Sequence, residues 1–271
     1  MHILLTDETN RHPSRDAQFF VYGGLLFPVD ALGVLHTGME AIRRTAGYRP
    51  GDELKFDTRA RPAHVTMDAA TNAKRQTIEL AQRAGCKFIV HVILHAIIEN
   101  QDADQQIQWA ADYVIGRFNQ YLHEVGDDGI CILDNLPNGS EFGYLSAKFA
   151  NGLTLDTGTR LSLDRIKLFA STCLGASHAN SVMDIVLGTF RYCINNPRNE
   201  EAARAMLGSV ARLMWGREEN GQMIVRGRGL ILRPEISDVR NDGYRRQYEE
   251  LIAHIVRLLR EIDSSGEVAQ G

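Results

Sequence analysis

Apolar positions along the chain alternate between short continuous runs and stripes at helical spacing. Ile3-Leu4-Leu5 reads as a short buried strand leading into Thr6-Asp7-Glu8. Ala17 to Phe27 reads as a second strand that turns through Gly23-Gly24, so the two open the fold as a hairpin. From Val29 to Ala46, Leu32, Leu35, Met39 and Ile42 fall on one side of a helix; Arg43-Arg44 sit near its end, where cations suit the helix dipole, and Gly47 stops it. After the Pro50-Gly51 turn, Glu53-Leu54-Lys55-Phe56 is too short to classify, and a helix from Thr66 to Ala84 follows, ended by Gly85.

Lys87 to Ile97 is a strand rich in Ile and Val. Ala103 to Glu124 is a helix, and Gly129 to Asn135 is another buried strand that ends in an acid. Ile166 to Ala170 is a further short strand. Asn180 to Asn195, Glu200 to Trp215 and Gly243 to Ile262 read as helices, with extended structure from Met223 to Leu232. This order predicts an α/β core over residues 1–195. Residues 196–271 form an extension of helix, extended hairpin and helix packed on it, the boundary marked only by the Pro197-Arg198-Asn199 break.

Composition narrows the classes. A chain of 271 residues that is 44% hydrophobic can bury a sizeable core. The cysteines Cys86, Cys131, Cys173 and Cys193 show no C-x-x-C spacing, which suggests neither a zinc ribbon nor a disulfide framework and fits a reducing compartment. Met1 to Glu8 lacks a secretory pattern, and the longest apolar run, Phe88 to Ile98, is too short to span a bilayer. The expectation is a cytoplasmic protein without a membrane partner. A net charge of −4 argues against gripping nucleic acid through overall charge and leaves a local basic surface open.

The candidate chemistry lies in carboxylates. Asp7 and Asp134 each follow an apolar strand core; were those strands parallel neighbours, both acids would project at one sheet edge, where α/β sheets place ligands. Asp184 lies in an amphipathic helix, sharing a polar face with Asn180, Gly188, Arg191 and Asn195, and Gly188 would let another backbone or a substrate approach closely. Clustered carboxylates repel one another unless they share protons or bind cations, and oxygen-only ligands suit magnesium or manganese. Taken singly, each acid reads more readily as a turn, cap or solvent-facing residue than as a ligand.

The residues in order, Asp7-Glu8-Thr9, Glu53-Leu54-Lys55, Leu133-Asp134-Asn135 and the stretch Ser177 to Gly188, resemble the prokaryotic domain of unknown function 3800 family, with Thr9 where that family usually has serine. The resemblance covers roughly residues 3 to 195. It implies a ribonuclease H-like fold, a mixed central sheet flanked by helices, with an acidic metal site. Carried onto this chain, it implies Asp7, Asp134 and Asp184 as the core acids, Glu8 or Glu53 as a fourth ligand, and Lys55 near a phosphate. The segment after Pro197 has no counterpart in it.

Outside the acids, His178 reads either as a substrate contact or as a helix-start neighbour, and His91 and His95 share a strand face suited to sheet packing. Gly221 to Gly229, with Arg226 and Arg228, reads either as an arginine hairpin for a nucleic-acid backbone or as a solvated hairpin. No Gly-x-Ser-x-Gly setting and no glycine-rich loop with a following lysine occurs, which disfavours a serine hydrolase or a P-loop ATPase. The expectation is a magnesium- or manganese-dependent nuclease or phosphoesterase, with Asp7, Asp134, Asp184 and Glu53 as catalytic residues. The rivals are a catalytically silent ribonuclease H-like binding module and a homodimer that hides its C-terminal helices in an interface.

Overall fold

The apolar runs of the sequence pair into one mixed sheet. In the computed structural model, which describes residues 1–9, 18–98, 102–134, 141–154, 158–172, 177–196, 200–219 and 222–266, β1 (His2–Thr9) and β2 (Phe19–Pro28) pair antiparallel. Ala17, Asn135, Cys173, the Pro197-Arg198-Asn199 break and Gly221 lie outside the described residues. Helices α1 (Ala31–Thr45) and α2 (Met67–Arg83) lead to β3 (Lys87–Leu94), antiparallel to β2. A single turn α3 (His95–Ile98) and the long α4 (Ala103–Val125) lead to β4 (Gly129–Asp134), which lies parallel to β1 on its other side. Then come α5 (Glu141–Asn151), the small ladder β5 (Leu153–Thr154) with β6 (Arg160–Leu161), and β7 (Ile166–Thr172), parallel to β4. The chain closes with α6 (His178–Asn195), α7 (Glu200–Ala211), the hairpin β8 (Arg217–Glu219) and β9 (Gln222–Ile224), β10 (Leu230–Leu232) and α8 (Asp242–Gly266). The six-stranded sheet runs β10-β3-β2-β1-β4-β7.

Both faces of the central strands are covered, which is why they read as unbroken apolar runs rather than alternating ones. Ile3, Leu5, Val21, Leu25, Val90 and Val92 face a layer built from α1, α2, α6, α7 and α8. Leu4, Phe20, Tyr22, Leu26, Ile89, Ile93, Cys131 and Leu133 face α4.

Four local readings change, and helix α5 has no counterpart among the elements expected from the sequence. Gly23-Gly24 is no turn: β2 runs straight through it, and a Cβ on Gly23 would meet Leu187 at 2.7 Å while one on Gly24 would meet Leu4 at 2.6 Å, so the glycines let the flanking layers close on the sheet. Strand β3 stops at Leu94, and His95 opens a helical turn. Helix α7 ends at Ala211, because Leu213 and Trp215 instead exchange backbone hydrogen bonds with Phe88 at the edge of β3 (2.7 and 3.1 Å). Leu32 is exposed, while Leu35, Met39 and Ile42 are buried. Helix α5 carries exposed Phe142 and Phe149, so its apolar residues give no clean inward stripe to read.

Residues beyond 196 pack on the α6 layer through Leu207, Tyr248, Leu251 and Ile255 and also add β10 to the sheet. Among the described residues, no helix is long and apolar enough to cross a membrane.

Candidate metal centre

Register brings two of the acids together. In the parallel pairing of β1 with β4, Leu5 stands opposite Ile132, so two residues further on Asp7 and Asp134 stand level on neighbouring strands. Ile3 and Leu5 put that face of β1 on the α6 layer, and alternation sends Asp7 the same way. Across β2, Asp7 pairs with Gly23, whose missing side chain leaves room for Leu187 of α6. Alternation alone would turn Glu8 to the other face. At the strand end its longer side chain still offers an oxygen, and ligand atoms of Asp7, Glu8 and Asp134 all lie within 4.8 Å of one another.

Asp184 adjoins this trio without joining it at that distance. Its Oδ2 accepts the backbone N–H of Phe56 at 2.6 Å, which turns the carboxylate toward the segment between α1 and α2. That segment is irregular yet pinned from three helices. Arg43 of α1 donates to the Asp52 carbonyl (2.7 Å), Lys74 of α2 donates to the Phe56 carbonyl (2.7 Å), and Asp184 of α6 takes the Phe56 N–H. Buried Leu54 anchors it from below. Gly188 makes the approach feasible: a Cβ there would stand 2.3 Å from Cγ of Phe56. The sequence reading allowed a backbone or a substrate to come close at Gly188, and what comes close is the Phe56 ring.

Electrostatics follow from this crowding. Burial, then the charges of Glu8, Asp134 and Asp184, push the Asp7 carboxyl up to about 8; the Glu8 N–H donated to its Oδ1 at 2.8 Å works weakly the other way. At an effective dielectric of about 20, two carboxylates about 5 Å apart repel by roughly 3 kcal/mol, so three or four ionised together need a cation or a shared proton. Asp184 is also raised by burial, against the opposing pull of the Phe56 N–H and of Lys55, Arg191 and Lys74.

Two cavities share Asp7, Glu8 and Asp184. One, of about 290 Å³, is lined further by Glu53, Lys55, Asp134, Asn180 and Ser181; in it Lys55 and Glu53 form a half-exposed ion pair at 3.1 Å. The other, of about 180 Å³, is lined further by Thr9, Phe56, Asp57, Gly188 and Arg191. Sequence reasoning placed Arg191 on the right helical face but gave it no role, and it missed Phe56, whose contact with Asp184 spans most of the core in sequence.

The other expected residues lie elsewhere. His178, first residue of α6, pairs with Glu40 of α1 (2.5 Å), sits 5.1 Å ring to ring from His36, and lines neither cavity. Arg228 packs over Trp215 (5.0 Å) and pairs with Glu124 at 2.5 Å. Trp215 in turn touches Tyr121, whose hydroxyl meets His2 at the start of β1. Asp7 is about 17 Å along that strand at about 3.3 Å per residue. Arg226 pairs with Glu235. Both arginines sit in the turn between β9 and β10 rather than on the β8–β9 hairpin. His91 and His95 face the α4 layer, His91 stacked on Tyr113 at 5.2 Å and His95 against Phe20.

Comparison of the chain with protein-family models, with curated proteins and with solved structures finds no match in any of the three.

Proposed function

We propose that this chain is a divalent-metal-dependent phosphodiesterase of ribonuclease H-like architecture that acts on nucleic acid, as the resemblance to the domain of unknown function 3800 family implies. The observation that carries this reading is the convergence of Asp7, Glu8 and Asp134 within 4.8 Å, with Asp184 beside Asp7 and Glu8 in both cavities. The mixed sheet with helices on both faces, and acids at the carboxyl ends of parallel β1 and β4, support the architectural part.

The donor set fits a hard cation. All ligands are carboxylate oxygens, which suit magnesium or manganese, and the crowding that holds a proton on Asp7 is what such an ion would relieve. Asp7, Glu8 and Asp134 would hold it, and when bound it supplies Lewis acidity and a more acidic water for displacement at phosphorus. Asp184, steadied by Phe56, holds negative charge beside that set and can orient a water or take its proton. Lys55, half exposed on the rim, offers a cation to a phosphate oxygen while Glu53 keeps its ammonium in place.

Incubation with single-stranded and duplex DNA and RNA, in manganese or in chelator, tests the reading. Expected is cleavage in manganese that Asp7→Asn and Asp134→Asn each reduce by more than about a hundredfold. A manganese-induced rise in melting temperature without any cleavage would instead leave a silent metal-binding module.

A further inference from the structure

Arg191 has a chemistry that the acids alone do not explain. It lies two turns beyond Asp184 on the same face of α6, about 10 Å along the helix, and lines the smaller cavity. Its guanidinium carbon lies over the Phe56 ring, 5.7 Å from the centroid. Its buried Nε has no hydrogen-bond partner among the described residues. An unsatisfied buried donor costs stability, and the planar fork of this side chain, which lines the cavity, suits a phosphate.

The two cavities meet at Asp7, Glu8 and Asp184, with Lys55 in one and Arg191 in the other. A polyanion brought to an acidic centre needs cations on both sides of it, and this arrangement supplies them. We propose that a nucleic-acid backbone crosses the acids from the Lys55 cavity to the Arg191 cavity, and that Arg191 holds a phosphate next to the one being cleaved. The inference rests on the phosphodiesterase reading and adds the path and the second anchor. Lys55 lines only the larger cavity and Arg191 only the smaller, so the phosphate that Arg191 holds is a different one from that at Lys55.

The test separates the anchor from the metal site. Binding of short labelled single-stranded DNA and RNA is followed by fluorescence anisotropy in chelator and in calcium, over a range of salt. Melting of the same proteins is followed with and without manganese. Arg191→Gln should weaken binding at least about tenfold and reduce the slope of log affinity against log salt by about 0.7, as loss of one phosphate contact does on a single strand. Arg191→Lys should recover part of the affinity. The manganese-induced rise in melting temperature should equal that of the wild type, and Arg75→Gln, which breaks an exposed pair with Glu79 on α2, should leave binding unchanged. Wild-type affinity in Arg191→Gln overturns the proposal, as does absence of binding by the wild type. Loss of the manganese response together with binding also overturns it, because Arg191 would then act through Phe56 and Asp184. No manganese response in the wild type, with binding that still depends on Arg191, would sink the metal reading and leave the anchor.

Discussion

Burying Asp7 among Glu8, Asp134 and Asp184 makes its ionisation costly in the absence of a cation. Its carboxyl titrates near 3.8 in the unfolded chain and near 8 in the fold, so between those values the native state binds more protons, and stability must fall as pH rises. Asp7→Asn removes that slope. Metal-free Asp7→Asn is expected to melt above the wild type at pH 8, by the equivalent of about 1–3 kcal/mol, with the gap closing toward about pH 4. Equal melting temperatures across that range would count against the electrostatic account. His91 gives a slope at the other end of the scale: burial and the Arg233 charge hold its ring down to about 3, against 6.5 unfolded. Its contribution is complete above about 6.5 and is lost as pH falls toward 3. Neither ring nitrogen of His91 has a hydrogen-bond partner among the described residues, so His91→Phe, keeping the stack on Tyr113, should cost nothing or gain about 1 kcal/mol and flatten the acid side of the stability curve. A loss exceeding about 2 kcal/mol would show that those nitrogens are satisfied in solution.

Elements carry the residues to one place, and here the sequence is legible in part. Apolar runs capped by acids marked β1 and β4, because strands buried on both faces leave their first polar residue at the sheet's end. The parallel pairing that makes Asp7 and Asp134 neighbours is a tertiary fact that periodicity does not encode. The polar stripe of α6 named Asp184, Gly188 and Arg191 together. Phe56 stayed hidden because it lies in an irregular stretch whose place is fixed by contacts distant in sequence, among them Arg43, Lys74 and Asp184 from three helices. Gly23-Gly24 misled because glycine marks both turns and close packing, and only the layers above distinguish them. Gly188→Ala tests how far α6 and this segment act as one unit. The added methyl must displace Phe56, so a loss of about 1–3 kcal/mol from overpacking is expected, together with a weaker manganese response as the Phe56 N–H leaves Asp184. Unchanged manganese affinity in a destabilised Gly188→Ala would mean that the support of Asp184 does not matter to the site.

At the scale of the molecule, the segment after 196 is part of what holds the sheet. It lends β10 to the edge of β3, and the Tyr248 hydroxyl donates to the Arg233 carbonyl (2.9 Å) while accepting the Leu94 N–H (2.8 Å). A chain ended at residue 195 would expose the edge of β3 and the apolar side of α6, and it should show no cooperative thermal transition by circular dichroism. A sharp transition near that of the full chain would make the two parts separable. The whole fold thus concentrates negative charge at one end of the sheet, and the most direct question is whether a cation displaces the proton that Asp7 retains. Calorimetric titration of manganese in buffers of different ionisation enthalpy counts protons released per ion. Release of about one proton at pH 7 and close to none near pH 9.5 is expected, with binding lost in Asp134→Asn. Absence of binding, or the same release at both pH values, would contradict this account.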